Sequence, residues 1–422
     1  MIQPTLQSIL HEHLSAYSNR HSMSPRQWQV CYHILGCRTA RMGSLQLNCR
    51  QCEYTATHHF SCRDRHCPQC QQRASKERSE KQTRSILPVT YHHLVFTLPH
   101  ELNQWISLHP RLIYGLLFRS VWLTIKRFGE NPRYLGGKVA MTAVLHTWGE
   151  NLSRHVHLHC LVPGGALAED DSWLCARGEY LFPVRALSRR FRGAMVSALR
   201  QAAESNQLCR ITRAGEVNEK LNSLMAKEWV VYSKPCDSKA ERVVEYLARY
   251  THKIAISNSR IESVGHQTVR FSVKDYRQAG ERKTIALNTD EFIRRYLLHI
   301  LPKGTMRIRH YGWLSNRTRR EKISHIRALI NVAAESACHE EKQEIENTLI
   351  SGKPAMRCNR CQSGELVIRI STQKNLHRQY IKESKINDSP AVFFTVVVRS
   401  SIWRTALSYC RNTQKWLNYV MI

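Results

Sequence analysis

Apolar residues recur at helical spacing near the start of the chain, first at Leu6, Ile9, Leu10 and Leu14 and again at Trp28, Val30, Ile34 and Leu35. This spacing predicts a helical lead-in over residues 1–40, with Ser24-Pro25 as a helix start. The pattern changes at Leu87-Pro88, where YHHLVFTLP reads as a short strand closed by Pro99, and a domain boundary is placed near 88. A helical region over 101–128 follows. KVAMTAVLHTW at 138–148 and HVHLHCLV at 155–162 then read as two strands turned by GENLSR, a hairpin ended by Pro163-Gly164-Gly165. Helical spacing returns over 185–209 and 239–250, and 254–262 and 267–274 alternate like strands joined around Gly265. Beyond about 320 there is one more helix, 321–348, and the β-prone run AVFFTVVV. Helices and hairpins interleave without a βαβ rhythm, so the expected fold is α+β on a mainly antiparallel sheet. Three consecutive segments are expected: 1–87, 88–320 and a tail of 321–422.

Charge adds a partner to this outline. The 422 residues carry 63 Lys and Arg against 33 Asp and Glu, a formal charge of +30, which points to a polyanion such as nucleic acid. With 42% hydrophobic and 23% charged residues, the composition is that of a folded protein and not a basic tail. LIYGLLFRSVWL breaks at Arg119 and the N-terminus lacks a basic segment followed by an apolar stretch, so neither a membrane span nor a signal peptide is expected. The 15 cysteines are an odd number, and five of them crowd between Cys49 and Cys70, which fits metal binding in a reducing cytoplasm better than disulfides.

Within that crowd, Cys49-x2-Cys52 and Cys67-x2-Cys70 form two knuckles, a spacing that lets four thiolates close a tetrahedral structural Zn²⁺ site. Cys62, His58, His59 and His66 lie in the same segment and are open to replacing a thiolate or taking a second ion, although packing or outer support is the simpler reading for each. Such a module would present Arg50, Arg63, Arg65 and Arg73 to phosphates, and QQRASKERSEKQTR at 71–84 reads as an exposed basic helix. Cys358-x2-Cys361 is a half site without a partner pair nearby and reads as ordinary cysteines.

Period-2 geometry in HVHLHC puts His155, His157 and His159 on one strand face and Val156, Leu158 and Cys160 on the other. If the hairpin turns around 151–152, His146 lies across from His157 and becomes a third candidate ligand for a divalent cation, while His155 is peripheral. In ERVVEYLARYTHKIAIS, Tyr246 and Tyr250 share a helix face. Such tyrosines are usually packing residues, but a metal that neutralises a phosphate would make them nucleophiles, and Lys253 could stabilise phosphate charge.

The run CRTARMGS...NCRQCEY...SCRDRHCPQCQ, followed by LPVTYHHLVFTLP, LHTWGENLSRHVHLHCLVPGG, YLARYTHKIAIS and FIRRYLLHILPKGTMRIRHYGWL, resembles the bacterial rolling-circle insertion-sequence transposases. Those are two-tyrosine HUH enzymes with an N-terminal zinc-binding domain, and the resemblance spans about residues 10–315 in order. It implies an HUH-like antiparallel sheet flanked by helices, preceded by a small zinc module. It carries the metal histidines over to His157 and His159, the nucleophiles to Tyr246 and Tyr250, and the zinc cysteines to Cys49, Cys52, Cys67 and Cys70, with Cys62 also in the pattern. Glu53 stands where a glycine is more usual, and the tail after about 320 has little to match. The implied activity is nicking of single-stranded DNA at transposon ends, and transfer to target DNA, through a 5′-phosphotyrosyl link with Mg²⁺ or Mn²⁺ as catalytic ion. That chemistry conserves the phosphodiester energy, in keeping with the lack of a GxxxxGK[ST] loop. The rival readings are a metal hydrolase or nuclease in which the HxH strand activates water, and a non-catalytic zinc regulator that only binds DNA.

Overall fold

The computed structural model describes residues 3–71, 86–176, 181–211, 214–236, 254–275, 280–335 and 357–372. These residues fall into two compact units, one made of the described stretches up to 31 and from 68 to 335, the other of 32–67 and 357–372. This differs from three consecutive segments because strand pairing joins stretches of chain that are far apart in sequence.

The larger unit is built on a five-stranded antiparallel sheet. Its strands are β3 (Tyr91–Thr97), β4 (Met141–Trp148), β5 (Arg154–Pro163), β8 (Val231–Cys236) and β12 (Ile308–Tyr311), in the order β12-β4-β5-β3-β8. Alternation assigns the two faces. Leu94 and Phe96 of β3, Met141, Ala143 and Leu145 of β4, and Val156, Leu158, Cys160 and Val162 of β5 all join one buried core. Two long helices supply much of the rest of that core, joined by Trp105 and Ile106 of helix Asn103–Leu108 and Leu221 and Leu224 of helix Ala214–Ala226. The first of the long pair, Pro110–Gly129, starts on a proline at its first turn and buries Ile113, Leu117, Val121 and Ile125, each four residues from the last. The second, Val184–Glu204, contributes Leu187, Phe191, Met195 and Leu199. The helical region expected over 101–128 is split, since Asn103–Leu108 is a separate helix and Pro110 opens the next.

A short hairpin of β6 (Gly165–Leu167) and β7 (Trp173–Cys175) belongs to this unit. A three-stranded sheet, β9 (Ile261–Val264), β10 (Thr268–Asp275) and β11 (Glu281–Asn288), leads into helix Thr289–Leu297. The strand expected from 254 begins only at Ile261: Ala255 sits at φ 59° and Asn258–Arg260 forms a 3₁₀ turn, so the buried run Ile254–Ile256 leaves extended geometry. The lead-in helix Leu6–Arg20 belongs to this unit. Its Arg20 grips Asp290 through two hydrogen bonds of 2.9 and 3.0 Å.

The smaller unit holds a second antiparallel sheet in the order β13-β1-β2, with β1 Ser44–Cys49, β2 Thr55–His59 and β13 Leu366–Thr372. Cys49 is thus in register with Leu366. Helix Arg319–Glu335 is described; the rest of the expected 321–348 helix, the basic stretch from residue 72, the 239–250 helix and AVFFTVVV lie outside the described residues. Among the described residues no helix is long and apolar enough to cross a membrane.

Candidate metal centres

The face of the five-stranded sheet opposite its core carries imidazoles. His146 pairs directly with His157 across β4 and β5, the register expected from a turn at 151–152. Ligand atoms of His146, His157 and His159 all lie within 4.8 Å of one another. His157 Nε2 is 3.0 Å from His159 Nε2. Two cis ligands about 2.1 Å from one octahedral ion stand about 3.0 Å apart, so this spacing suits a shared cation. His155, also on this strand face, turns its carbonyl oxygen to within 2.9 Å of His157 Nδ1. That contact holds the proton on Nδ1 and leaves Nε2 as a lone pair.

His93, from the adjacent strand β3, is a neighbour that the sequence reading passed over. Its Nε2 lies 2.8 Å from His159 Nδ1, and the two rings stack with centroids 5.0 Å apart. For His159 to offer Nε2 to a metal, its Nδ1 must donate to His93. Burial keeps these rings uncharged: it pulls His93 down to about 4 and His157 down to about 3. His159 is lowered too, by burial first and then by its histidine neighbours. Neutral imidazoles are the form that binds metal.

The cysteines are grouped differently from the single site expected. Cys49 and Cys52 do not meet Cys67 and Cys70. One set is Cys37, Cys62, Cys67 and Cys70, and the other is Cys49, Cys52, Cys358 and Cys361. The single-site grouping is therefore corrected: β13 brings the knuckle at 358–361 to Cys49, while the turn after β2 takes Cys62 and Cys67 toward Cys37. Cys70 follows three residues after Cys67 in the same knuckle, so chain continuity puts it there. Cys62, which the sequence left as an alternative, is in the first set, and the Cys62 amide donates to Cys37 Sγ at 3.5 Å.

His58 and His59 are exposed on β2, outside both cysteine sets. His66 is buried and bonds Asp64 through Nδ1 at 2.8 Å, and His33 Nδ1 reaches the other oxygen of Asp64 at 2.9 Å. Burial alone would raise the Asp64 carboxyl, but the hydrogen bonds from His33 and His66 outweigh it and hold the carboxyl well below its usual range. This brace fixes the chain between Cys62 and Cys67. Of the predicted phosphate contacts, Arg63 is exposed, Arg65 half-buried, and Arg50 is 3.5 Å from the Glu365 carboxylate. Arg73, Tyr246, Tyr250 and Lys253 lie outside the described residues.

Comparison with known proteins agrees with this architecture. A family described as "Putative transposase" matches residues 140–322, and one described as "Transposase zinc-binding domain" matches residues 9–98. The chain is similar to "Putative transposase y4qJ" of Sinorhizobium fredii (strain NBRC 101917 / NGR234), at 38% identity over 376 residues, or 86% of this chain and 94% of that protein. It is also similar to the transposase for insertion sequence element IS801 of Pseudomonas savastanoi pv. phaseolicola, at 28% identity over 294 residues, or 67% of this chain and 69% of that one. No solved structure matches the chain. A transposase with an N-terminal zinc-binding domain is the class these findings define. The chain belongs to the IS91 family of insertion-sequence transposases. DNA is accordingly its partner, and zinc its structural metal.

Proposed function

We propose that this transposase nicks and rejoins single-stranded DNA at the ends of its element, using Tyr246 and Tyr250 as nucleophiles and His146, His157 and His159 as ligands of a divalent cation. The observation that carries this reading is the 3.0 Å pair of His157 and His159 nitrogens, neutral, the first ring buried and the second half-buried, aimed together on one sheet face. When bound, the cation supplies Lewis-acid polarisation of the scissile phosphate. Three imidazoles favour Mn²⁺ over Mg²⁺, which prefers oxygen donors. His155 and His93 fix the ligating faces of His157 and His159.

A tyrosine oxygen that has lost its proton forms a bond to phosphorus, and the P–O3′ bond breaks. The departing 3′ oxygen takes up a proton, and the 5′ phosphate stays on the tyrosine. One phosphorus–oxygen bond replaces another, so a later 3′-hydroxyl can reverse the step without nucleotide hydrolysis. A second tyrosine would hold one strand while the first is released. The surplus of basic residues, including Arg63, Arg65, Arg73 and Lys253, draws the DNA in. Zinc on Cys37, Cys62, Cys67 and Cys70 shapes the module that presents Arg63 and Arg65. Residues 88–320 would hold the chemistry, and the setting is the reducing cytoplasm, beside the nucleoid.

Incubation of the full chain with a single-stranded oligonucleotide carrying candidate end sequences and Mn²⁺ tests this. A covalent protein–DNA adduct is expected, mapped by digestion to Tyr246 or Tyr250. Each single Phe variant should still trap DNA but fail in complete strand transfer, and the double variant should trap none. Free cleavage without an adduct would favour the water-activating hydrolase, and binding alone the regulator.

A further inference from the structure

Cys358 and Cys361 fall outside the zinc-binding domain matched over residues 9–98 and outside the transposase region at 140–322. Yet they meet Cys49 and Cys52 across separations of 312 and 306 residues. Cys49 Sγ is 3.6 Å from Cys361 Sγ, and Cys52 Sγ is 3.8 Å from Cys358 Sγ. Disulfide sulfurs would stand about 2.05 Å apart. Four sulfurs about 2.3 Å from one Zn²⁺ stand about 3.8 Å apart along each tetrahedral edge. The two observed spacings match tetrahedral edges.

The backbone around these sulfurs has the form of two matched knuckles. In the first, the Cys49 amide donates to the Tyr54 carbonyl at 2.9 Å, and the Gln51 amide to Cys49 Sγ at 3.3 Å. In the second, the Cys358 amide donates to the Gly364 carbonyl at 2.7 Å, and the Arg360 amide to Cys358 Sγ at 3.4 Å. The Gly364 amide adds a further donor to Cys361 Sγ at 3.2 Å. Backbone N–H groups aimed at sulfur stabilise the thiolate, the form that ligates metal. Gly364 leaves room for this: a Cβ there would stand 2.3 Å from Cys49 Sγ and 3.0 Å from Cys361 Sγ. The bridge Arg357↔Glu365 closes the second knuckle, and β13 runs from it into register with β1.

We infer that Cys49, Cys52, Cys358 and Cys361 bind a second structural Zn²⁺, separate from that of Cys37, Cys62, Cys67 and Cys70, which fastens the 357–372 segment to the β1–β2 hairpin. Four thiolates close the coordination sphere, so this ion holds structure and does no chemistry. Arg50 and Glu365, one from each knuckle, form an ion pair beside it at 3.5 Å.

Metal analysis of the purified full chain tests the inference. About two equivalents of zinc are expected in the wild type and about one in the C358S/C361S double variant. One equivalent in the wild type, or an unchanged content in the variant, would overturn the proposal. Should the variant fail to fold, the wild type alone suffices. Its native cysteines are alkylated with and without a strong zinc chelator and mapped by mass. Cys49, Cys52, Cys358 and Cys361 should be protected together and become reactive together on chelation. Free alkylation of Cys358 and Cys361 while Cys49 and Cys52 stay protected, or disulfides linking the pairs in metal-free protein, would defeat it.

Discussion

The imidazole face and the cysteine sets reach their geometry by opposite routes. His146, His157 and His159 come from two strands joined by a short turn, and a hydrophobic core on the far side of the sheet already fixes where they point. Among the described residues of the smaller unit, the buried side chains include Ile34 and Leu47 and the thiols Cys37, Cys67 and Cys358 themselves. In the first region the fold makes the site, and in the second the ion helps make the fold. A site of neutral imidazoles on a preformed sheet should exchange its metal freely, whereas a closed thiolate site should not.

The largest expected effect follows from that contrast. Dialysis against EDTA should abolish nicking, and added Mn²⁺ should restore it more fully than Mg²⁺, while zinc content measured on the same sample stays unchanged. Restoration by zinc alone would reverse the roles given to the two regions. Next, His157→Ala or His159→Ala should lower cleavage on the order of 10³-fold, as loss of a principal electrostatic stabiliser does. DNA affinity should change little in these variants and should still fall steeply with salt. A melting transition close to that of the wild type is also expected, because the core lies on the other face.

Acid probes the buried imidazoles further. His299 is buried, with Nε2 donating to the Leu152 carbonyl at 3.0 Å and Nδ1 3.2 Å from Thr147 Oγ1, and burial pulls it down to about 4. The unfolded chain protonates this ring near pH 6.5 while the folded chain does not. The unfolded state therefore binds more protons below that pH, and stability is lost as pH falls from about 6.5 to about 4, by roughly 3 kcal/mol from this group. Denaturant titrations of His299→Gln across this range should show a shallower acid limb than the wild type. Smallest is the effect of His93→Ala, which should raise the Mn²⁺ concentration needed for nicking by about 10- to 100-fold, as removing a ligand's orienting partner does. His93→Gln, whose side-chain oxygen can accept the His159 proton, should recover part of the loss. If the Mn²⁺ requirement is the same in all three proteins, His93 is only a packing residue.

How much was readable depended on sequence distance. Alternation in HVHLHC assigned the faces of β5 correctly, and the position of GENLSR was enough to set His146 against His157, because both signals are local. His93 was also within reach, since it is out of phase with Leu94 and Phe96 in YHHLVF. The cysteine partition was not. Cys49-x2-Cys52 and Cys67-x2-Cys70 satisfy the spacing of a single zinc site equally well, and nothing local says that Cys37 or Cys361 competes for them. The pairing of β1 with β13 and the turn after β2 decide it, and that pairing depends on backbone hydrogen bonds that leave no periodic mark in the sequence.

The same pairing sets a timetable. β1 is made long before its partner strand β13, which is not complete until Thr372 has been added. At translation speeds of about 5–20 residues per second, that wait lasts roughly 15–60 s. Until then one edge of the β1–β2 hairpin has no neighbour. The sheet of the smaller unit is thus completed only after the strands of the larger one have been made, and a nonsense codon anywhere before 366 would release a chain in which β1 lacks its partner β13.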